Sequence, residues 1–117
     1  MRYSLSVLCL LGALTTGGLA YAHHGWGSYD ASRTLSVTSP VQSVEWQNPH
    51  VMLVVTYQNK SWHAVLAPPF RMNARGLQPD MLKPGTQVSL EGYPSTREEA
   101  ELRAERITVN GKTYELR

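Results

Sequence analysis

Cysteine is nearly absent from this sequence of 117 residues. The single cysteine, Cys9, lies in the middle of an apolar stretch near the amino terminus, which predicts its removal with a leader rather than its lipidation. The chain that follows then contains neither a disulfide nor a thiolate ligand. A cysteine-based zinc site is therefore excluded, and the fold depends on core packing.

A surplus of charge of one sign is missing as well. The chain has 11 Lys and Arg against 9 Asp and Glu, which gives no electrostatic reason to expect nucleic acid or anionic lipid as a partner. The sequence offers no convincing Ser-His-Asp order, and Glu45 with His50 is its one acid–histidine neighbourhood. We therefore expect a protein that is not an enzyme.

Residues 1–22 have the pattern of a secretory signal peptide. Arg2 provides the positive charge, residues 5–14 are mainly apolar, and Ala20 and Ala22 are the small residues before the cleavage site. The apolar run is too short to cross a bilayer of about 30 Å. We expect cleavage after Ala22, with cleavage after Ala20 as the alternative, and a periplasmic or secreted location.

Two adjacent histidines, His23 and His24, follow the predicted cleavage site. Cleavage after Ala22 gives His23 a free α-amine beside its imidazole, a strong ligand set for copper or another divalent ion. Cleavage two residues earlier places His23 third, where the amine, two backbone amides and the imidazole suit Cu(II) or Ni(II). His50 is the expected third ligand, because a mobile arm can fold back towards it. A solvated tail without metal remains the alternative.

The remaining sequence predicts a small, mainly β domain. Residues 23–33 have no apolar period and predict an irregular amino-terminal arm, whereas residues 34–117 alternate between β-rich runs and turn signals. We predict strands at 34–46, 50–57, 61–67, 86–93, 102–109 and 112–116, a short helix at 70–77 and a single turn at 79–82. This order is typical of an OB-like barrel with five or six strands, although another barrel or a sandwich remains possible.

The turn near Asn59 fixes which histidines can meet. A hairpin centred there pairs His63 with about Thr56, so His50 lies several residues farther along and the two imidazoles do not share a site. Met52 lies on the same strand face as His50, where its thioether is either a soft ligand for Cu(I) or part of the core. The charged residues 97–106 are expected to form a solvated face.

Two tryptophans support a different function. Trp46 and Trp62 would form an aromatic barrel face that binds a ligand other than a metal, such as an oligosaccharide or peptide, or a protein partner. The large apolar area of each tryptophan favours a core position over this role.

Four motifs occur in an order that resembles a known family. They are His23-His24 after the leader, the segment VEWQNPH that ends at His50, LKPG at 82–85 and EGYP at 91–94. Together they resemble the small exported bacterial proteins called DUF6152. The resemblance implies an exported β-barrel of Gram-negative type and supplies no catalytic residue. His63 departs from the pattern, since such proteins tend to have Trp-Ala where this chain reads Trp-His-Ala.

Overall fold

The computed structural model describes residues 25–117. The predicted leader at 1–22, with its cleavage site, and the ligands His23 and His24 lie outside the described residues. Within residues 25–117 the chain forms seven strands, one α-helix and two short 3-10 turns. In chain order they are a 3-10 turn (Trp26–Ser28), β1 (Leu35–Pro40), β2 (Ser43–Glu45), β3 (Met52–Tyr57), β4 (Lys60–Val65), α1 (Pro69–Ala74), a 3-10 turn (Pro79–Leu82), β5 (Gln87–Pro94), β6 (Glu101–Val109) and β7 (Lys112–Glu115).

All seven strands belong to one sheet. Its order is β1-β5-β6-β4-β3-β2, and β7 pairs with β6 beside this path. Every pair is antiparallel except β4 with β6, which run parallel. The connection between β4 and β6 contains α1, the second 3-10 turn and β5. The prediction of a mainly β fold with one short helix is confirmed.

The prediction of a closed barrel is wrong, because the sheet does not close on itself. The expected long first strand is divided into β1 and β2, which lie at opposite ends of the sheet order. Pro40 has no N–H to donate, and the amide of Val41 donates to the carbonyl of Thr86. At the gap, the hydroxyl of Ser39 accepts from the amide of Thr56 at 2.9 Å. A side chain therefore occupies the place where a backbone ladder between β1 and β3 would have closed the barrel.

The hairpin between β3 and β4 has a two-residue turn. Gln58 and Asn59 have φ angles of 52° and 63°, the left-handed values that a type I′ turn needs at both central positions. This turn pairs His63 with Val54. The predicted partner, Thr56, was therefore wrong by two residues. A shift of two residues leaves His63 on the predicted face of the sheet, because side chains alternate between the faces with a period of two.

The core lies on one face of the sheet, where inward residues alternate with exposed ones along each strand. Examples are Leu53 and Val55 on β3, which are fully buried. Helix α1 covers one end of this core with Met72, and Leu77 and Leu82 complete the cover. No helix among residues 25–117 is both long and apolar enough to cross a membrane.

A β-bulge interrupts the pairing of β5 with β6. Glu91 pairs with Arg106 and Gly92 pairs with Ala104, so Glu105 is the extra residue. The bulge explains why the apolar residues of this segment lack a regular period: it allows Leu102, Ala104 and Ile107 all to be buried. At Gly92 the two backbones approach so closely that a Cβ atom would lie 2.2 Å from the carbonyl oxygen of Arg103.

Candidate binding site

His50 lies at the end of the loop between β2 and β3. The loop contains a cis peptide bond between Asn48 and Pro49, and the imidazole that follows is half-buried. Nη2 of Arg103, on the neighbouring part of β6, is 3.4 Å from Nε2 of His50. An arginine can only donate, so Nε2 of His50 is the acceptor in this contact.

Arg103 is buried, with 4% of its surface exposed. The prediction that residues 97–106 form a solvated face is therefore wrong at this position. Burial lowers the pKa of the Arg103 guanidinium, and the positive charges of Arg71 and Arg117 lower it further, against the opposing effect of Tyr29 and Glu101. A buried guanidinium is costly unless its surroundings provide contacts, and the amino-terminal arm provides some of them.

Trp26, in the first 3-10 turn, stacks with two arginines. Cζ of Arg103 is 4.4 Å from the centroid of the Trp26 ring, and Cζ of Arg117 is 4.3 Å from it. Tyr93 meets the same indole edge to face, with 6.3 Å between the ring centroids. Cation–π contacts of this kind stabilise most when the cation is removed from water, as Arg103 is here.

The rest of the arm is fixed to the sheet by hydrogen bonds. The hydroxyl of Tyr29 donates to Oε2 of Glu101 at 2.6 Å, and the amide of Asp30 donates to the carbonyl of Pro94 at 2.9 Å. Burial, together with the hydrogen bond to Glu101 and its charge, raises the pKa of the Tyr29 hydroxyl well above its ordinary value. The chain from Trp26 onwards is thus part of the folded body.

A recess opens beside His50, with a volume of about 270 Å³. We call it the His50 recess; it is lined by Glu45, Gln47, Asn48, Pro49, His50, Met52, Val65 and Glu101. It combines an imidazole, a thioether and two carboxylates, all of which are metal ligands in other proteins. The carboxylate of Glu101 also offsets the positive charge of Arg103 at this end of the sheet.

A smaller recess of about 80 Å³ lies farther along the same outer face. We call it the His63 recess; it is lined by Ser43, Glu45, Met52, Val54 and His63. Met52 and Glu45 line both recesses. Met52 is half-buried on the outer face rather than part of the core, unlike the fully buried Met72.

Both predicted aromatic ligands lie within the described part of the chain. Trp46 and Trp62 are both partly buried and pack against the core. Trp62 pairs with Val55 near one end of β3, whereas Trp46 follows Glu45, which pairs with Met52 at the other end. Ligand binding by the two rings stays a prediction.

Of the predicted metal ligands, only His50 lies within the described part of the chain. Among residues 25–117 no three side chains of His, Cys, Asp or Glu are grouped closely enough to hold a metal ion. Sequence reasoning missed the role of Arg103. Its position between Leu102 and Ala104 on a strand predicts an outward side chain, but nothing in the sequence shows that Trp26 covers that side.

Together, the fold and the recesses define a small protein built on a single sheet, with a surface site next to an anchored amino-terminal arm. The chain belongs to the family of unknown function DUF6152, whose model matches residues 12–103. The resemblance drawn from the four motifs is thereby confirmed. No curated protein matches the sequence.

Proposed function

We propose that this protein is an exported binding module, related to OB-like domains in its strand order, that binds copper or a similar divalent ion through His23, His24 and His50. The observation that carries the proposal is the anchoring of Trp26 beside His50. Arg103 contacts both residues, at 4.4 Å from the indole centroid and 3.4 Å from Nε2. The described part of the arm, from Trp26 onwards, is therefore held near the proposed third ligand.

The distances allow the predicted ligands to meet. Cζ of Arg103 is 4.4 Å from the centroid of the Trp26 ring, and Nη2 of the same side chain is 3.4 Å from Nε2 of His50. Because the bond between Cζ and Nη2 is about 1.3 Å long, the ring centroid is at most about 9 Å from Nε2 of His50. His24 is two residues before Trp26, a stretch that spans up to about 7 Å when extended. An imidazole at the end of such a stretch can reach the His50 recess.

The side chains of the recess are those that metal ions bind. Nε2 of His50 accepts from Arg103, so a metal ion that binds at this nitrogen must displace the guanidinium from it. The His50 recess contains one imidazole, and residues 25–117 contain no group of three His, Cys, Asp or Glu side chains that could hold a metal ion. The proposal therefore takes its remaining nitrogen ligands from the amino-terminal histidines. An α-amine with adjacent imidazoles supplies the nitrogen donors that copper prefers.

The test is a Cu(II) titration of protein purified after native export, once its intact mass has identified the amino-terminal residue. We expect one tightly bound Cu(II) per chain, with nitrogen ligands visible in its electron paramagnetic resonance spectrum. His50→Ala should change that spectrum, whereas Ser61→Ala, the matched control on the same outer face, should leave it unchanged. A copper content and spectrum unaffected by His24→Ala combined with His50→Ala would rule out the site.

A further inference from the structure

The two recesses on the outer face are neighbours, because they share two side chains. Glu45 on β2 and Met52 on β3 pair directly across the strands and line both recesses. His50 lines one of the two recesses and His63 lines the other. The thioether of Met52 therefore lies between two imidazoles that are too far apart to bind one ion together.

The sheet register brings His63 close to Met52. His63 on β4 pairs with Val54, which is two residues from Met52 and on the same face of β3. Such diagonal neighbours are about 7–8 Å apart at their Cα atoms, a separation that a methionine and a histidine side chain can bridge with one ion between them. Glu45 is next to Met52 and adds a carboxylate to the same recess.

The exposure of these side chains fits ligand binding better than core packing. His63 and Glu45 are exposed, and Met52 is half-buried at the bottom of the recess. Glu101 pairs with His63 in the parallel ladder and adds a second carboxylate to this region. The surroundings of Met52 and His63 therefore favour a cation over an anion.

We propose that Met52 and His63, with Glu45 beside them, form a second metal site that is selective for a soft monovalent ion, Cu(I). A thioether with an imidazole is a soft ligand set, whereas amine and amide nitrogens favour Cu(II). The site uses no residue of the amino-terminal arm, so it goes beyond the proposed function and can exist without it.

The probe is Ag(I), which has the ligand preference of Cu(I) without its redox chemistry. The His24→Ala protein, labelled with ¹³C in the methionine methyl groups, is titrated with one equivalent of Ag(I) and followed by nuclear magnetic resonance. We expect the Met52 methyl signal to shift, while those of Met72 in the core and Met81 near Gln78 keep their positions. An unshifted Met52 signal would overturn the proposal.

Affinity for Cu(I) is measured by competition with a chromophoric chelator under reducing conditions. We expect His63→Ala and Met52→Leu each to weaken binding at least about tenfold, while Met81→Leu does not. Met52→Leu conserves volume and should fold normally, which the methyl spectrum of Met72 verifies. Wild-type Cu(I) affinity in the Met52→Leu protein would contradict the site. Because His63→Ala should retain Cu(II) binding, failure of this site and failure of the arm site give different results.

Discussion

The guanidinium of Arg103 contacts the indole of Trp26 at 4.4 Å and the imidazole of His50 at 3.4 Å. One buried side chain thus connects the amino-terminal arm with the loop that precedes β3. A change in the position of the arm is therefore expected to change the surroundings of His50. Arg103 links the fold of this protein to its candidate site.

Removal of the Trp26 side chain should destabilise the protein. Trp26→Ala deletes two cation–π contacts and the edge-to-face contact with Tyr93, and we expect the free energy of unfolding to fall by about 2 kcal/mol. Urea denaturation measures this change. The matched control is Phe70→Ala, because Phe70 is 70% exposed and its removal should cost less than about 0.5 kcal/mol. Equal losses in the two variants would contradict the anchoring role of Trp26.

Gly92 should tolerate no larger residue. In Gly92→Ala the new Cβ atom would lie 2.2 Å from the carbonyl oxygen of Arg103, so β5 and β6 must separate at the bulge. We expect a loss of about 3 kcal/mol or more, or failure to fold, measured by thermal and urea unfolding. Gly27→Ala is the control, since a Cβ atom at Gly27 meets nothing within 4 Å. A Gly92→Ala protein as stable as Gly27→Ala would refute this account of the bulge.

The hydroxyl of Ser39 should contribute measurably to stability. It is buried and accepts from the amide of Thr56, which in Ser39→Ala would lose its partner. We expect the free energy of unfolding to fall by about 1 kcal/mol, because the Thr56 amide loses this hydrogen bond. Faster hydrogen exchange at the Thr56 amide gives a local readout. Ser36→Ala, on the exposed face of the same strand, should change neither quantity.

Tyr29 should make the protein sensitive to alkaline pH. The pKa of Tyr29 is raised in the folded state. The contribution of its protonated hydroxyl to the stability of the fold is therefore complete below the ordinary tyrosine pKa of about 10, and it is lost as the pH rises further. Stability falls with rising pH because the Tyr29 hydroxyl loses its proton at a lower pH in the unfolded chain than in the folded protein. Above pH 10, stability of the wild type should fall more steeply than that of Tyr29→Phe, by up to about 1.4 kcal/mol per pH unit.

Urea denaturation at a series of pH values between 8 and 11 tests this prediction about Tyr29. The pKa of Tyr93 is also raised, through its hydrogen bond to Glu105, but that residue is present in both proteins and cancels in the comparison. At neutral pH the Tyr29→Phe protein should be less stable by about 1 kcal/mol, since the hydrogen bond to Glu101 is lost. Parallel pH profiles above pH 10 would show that Tyr29 is not the responsible group.

Most strands were predictable from local patterns. The Asn110-Gly111 turn signals the hairpin of β6 and β7, and the apolar run after His50 predicts β3. The prediction of a closed barrel was wrong because of a contact between residues that are far apart in the sequence. The hydroxyl of Ser39 on β1 accepts from the amide of Thr56 on β3, in the place of a backbone pairing between the two strands. The register of His63 was also wrong, because the exact turn at Gln58 and Asn59 decides it.

The candidate site was predictable only in part. The sequence singles out His50 by its place after the Asn48-Pro49 turn, and Met52 by its position on the same strand face. The meeting of Met52 with His63 depends on the register of β4, which differs from the predicted one by two residues. The sequence predicts a solvated side chain for Arg103, because this residue lies in a charged segment. The burial of Arg103 depends on Trp26, which is distant in the sequence.

The sequence by itself determined the element types, the alternation of buried and exposed residues, and the positions of the histidines, because these follow from local periodicity and turn chemistry. The tertiary structure alone decided that the sheet stays open, that Arg103 is buried beneath Trp26, and that Met52 lies between His50 and His63. These features arise from strand register and from packing between distant segments, which depend on the whole folded chain rather than on any one stretch of it.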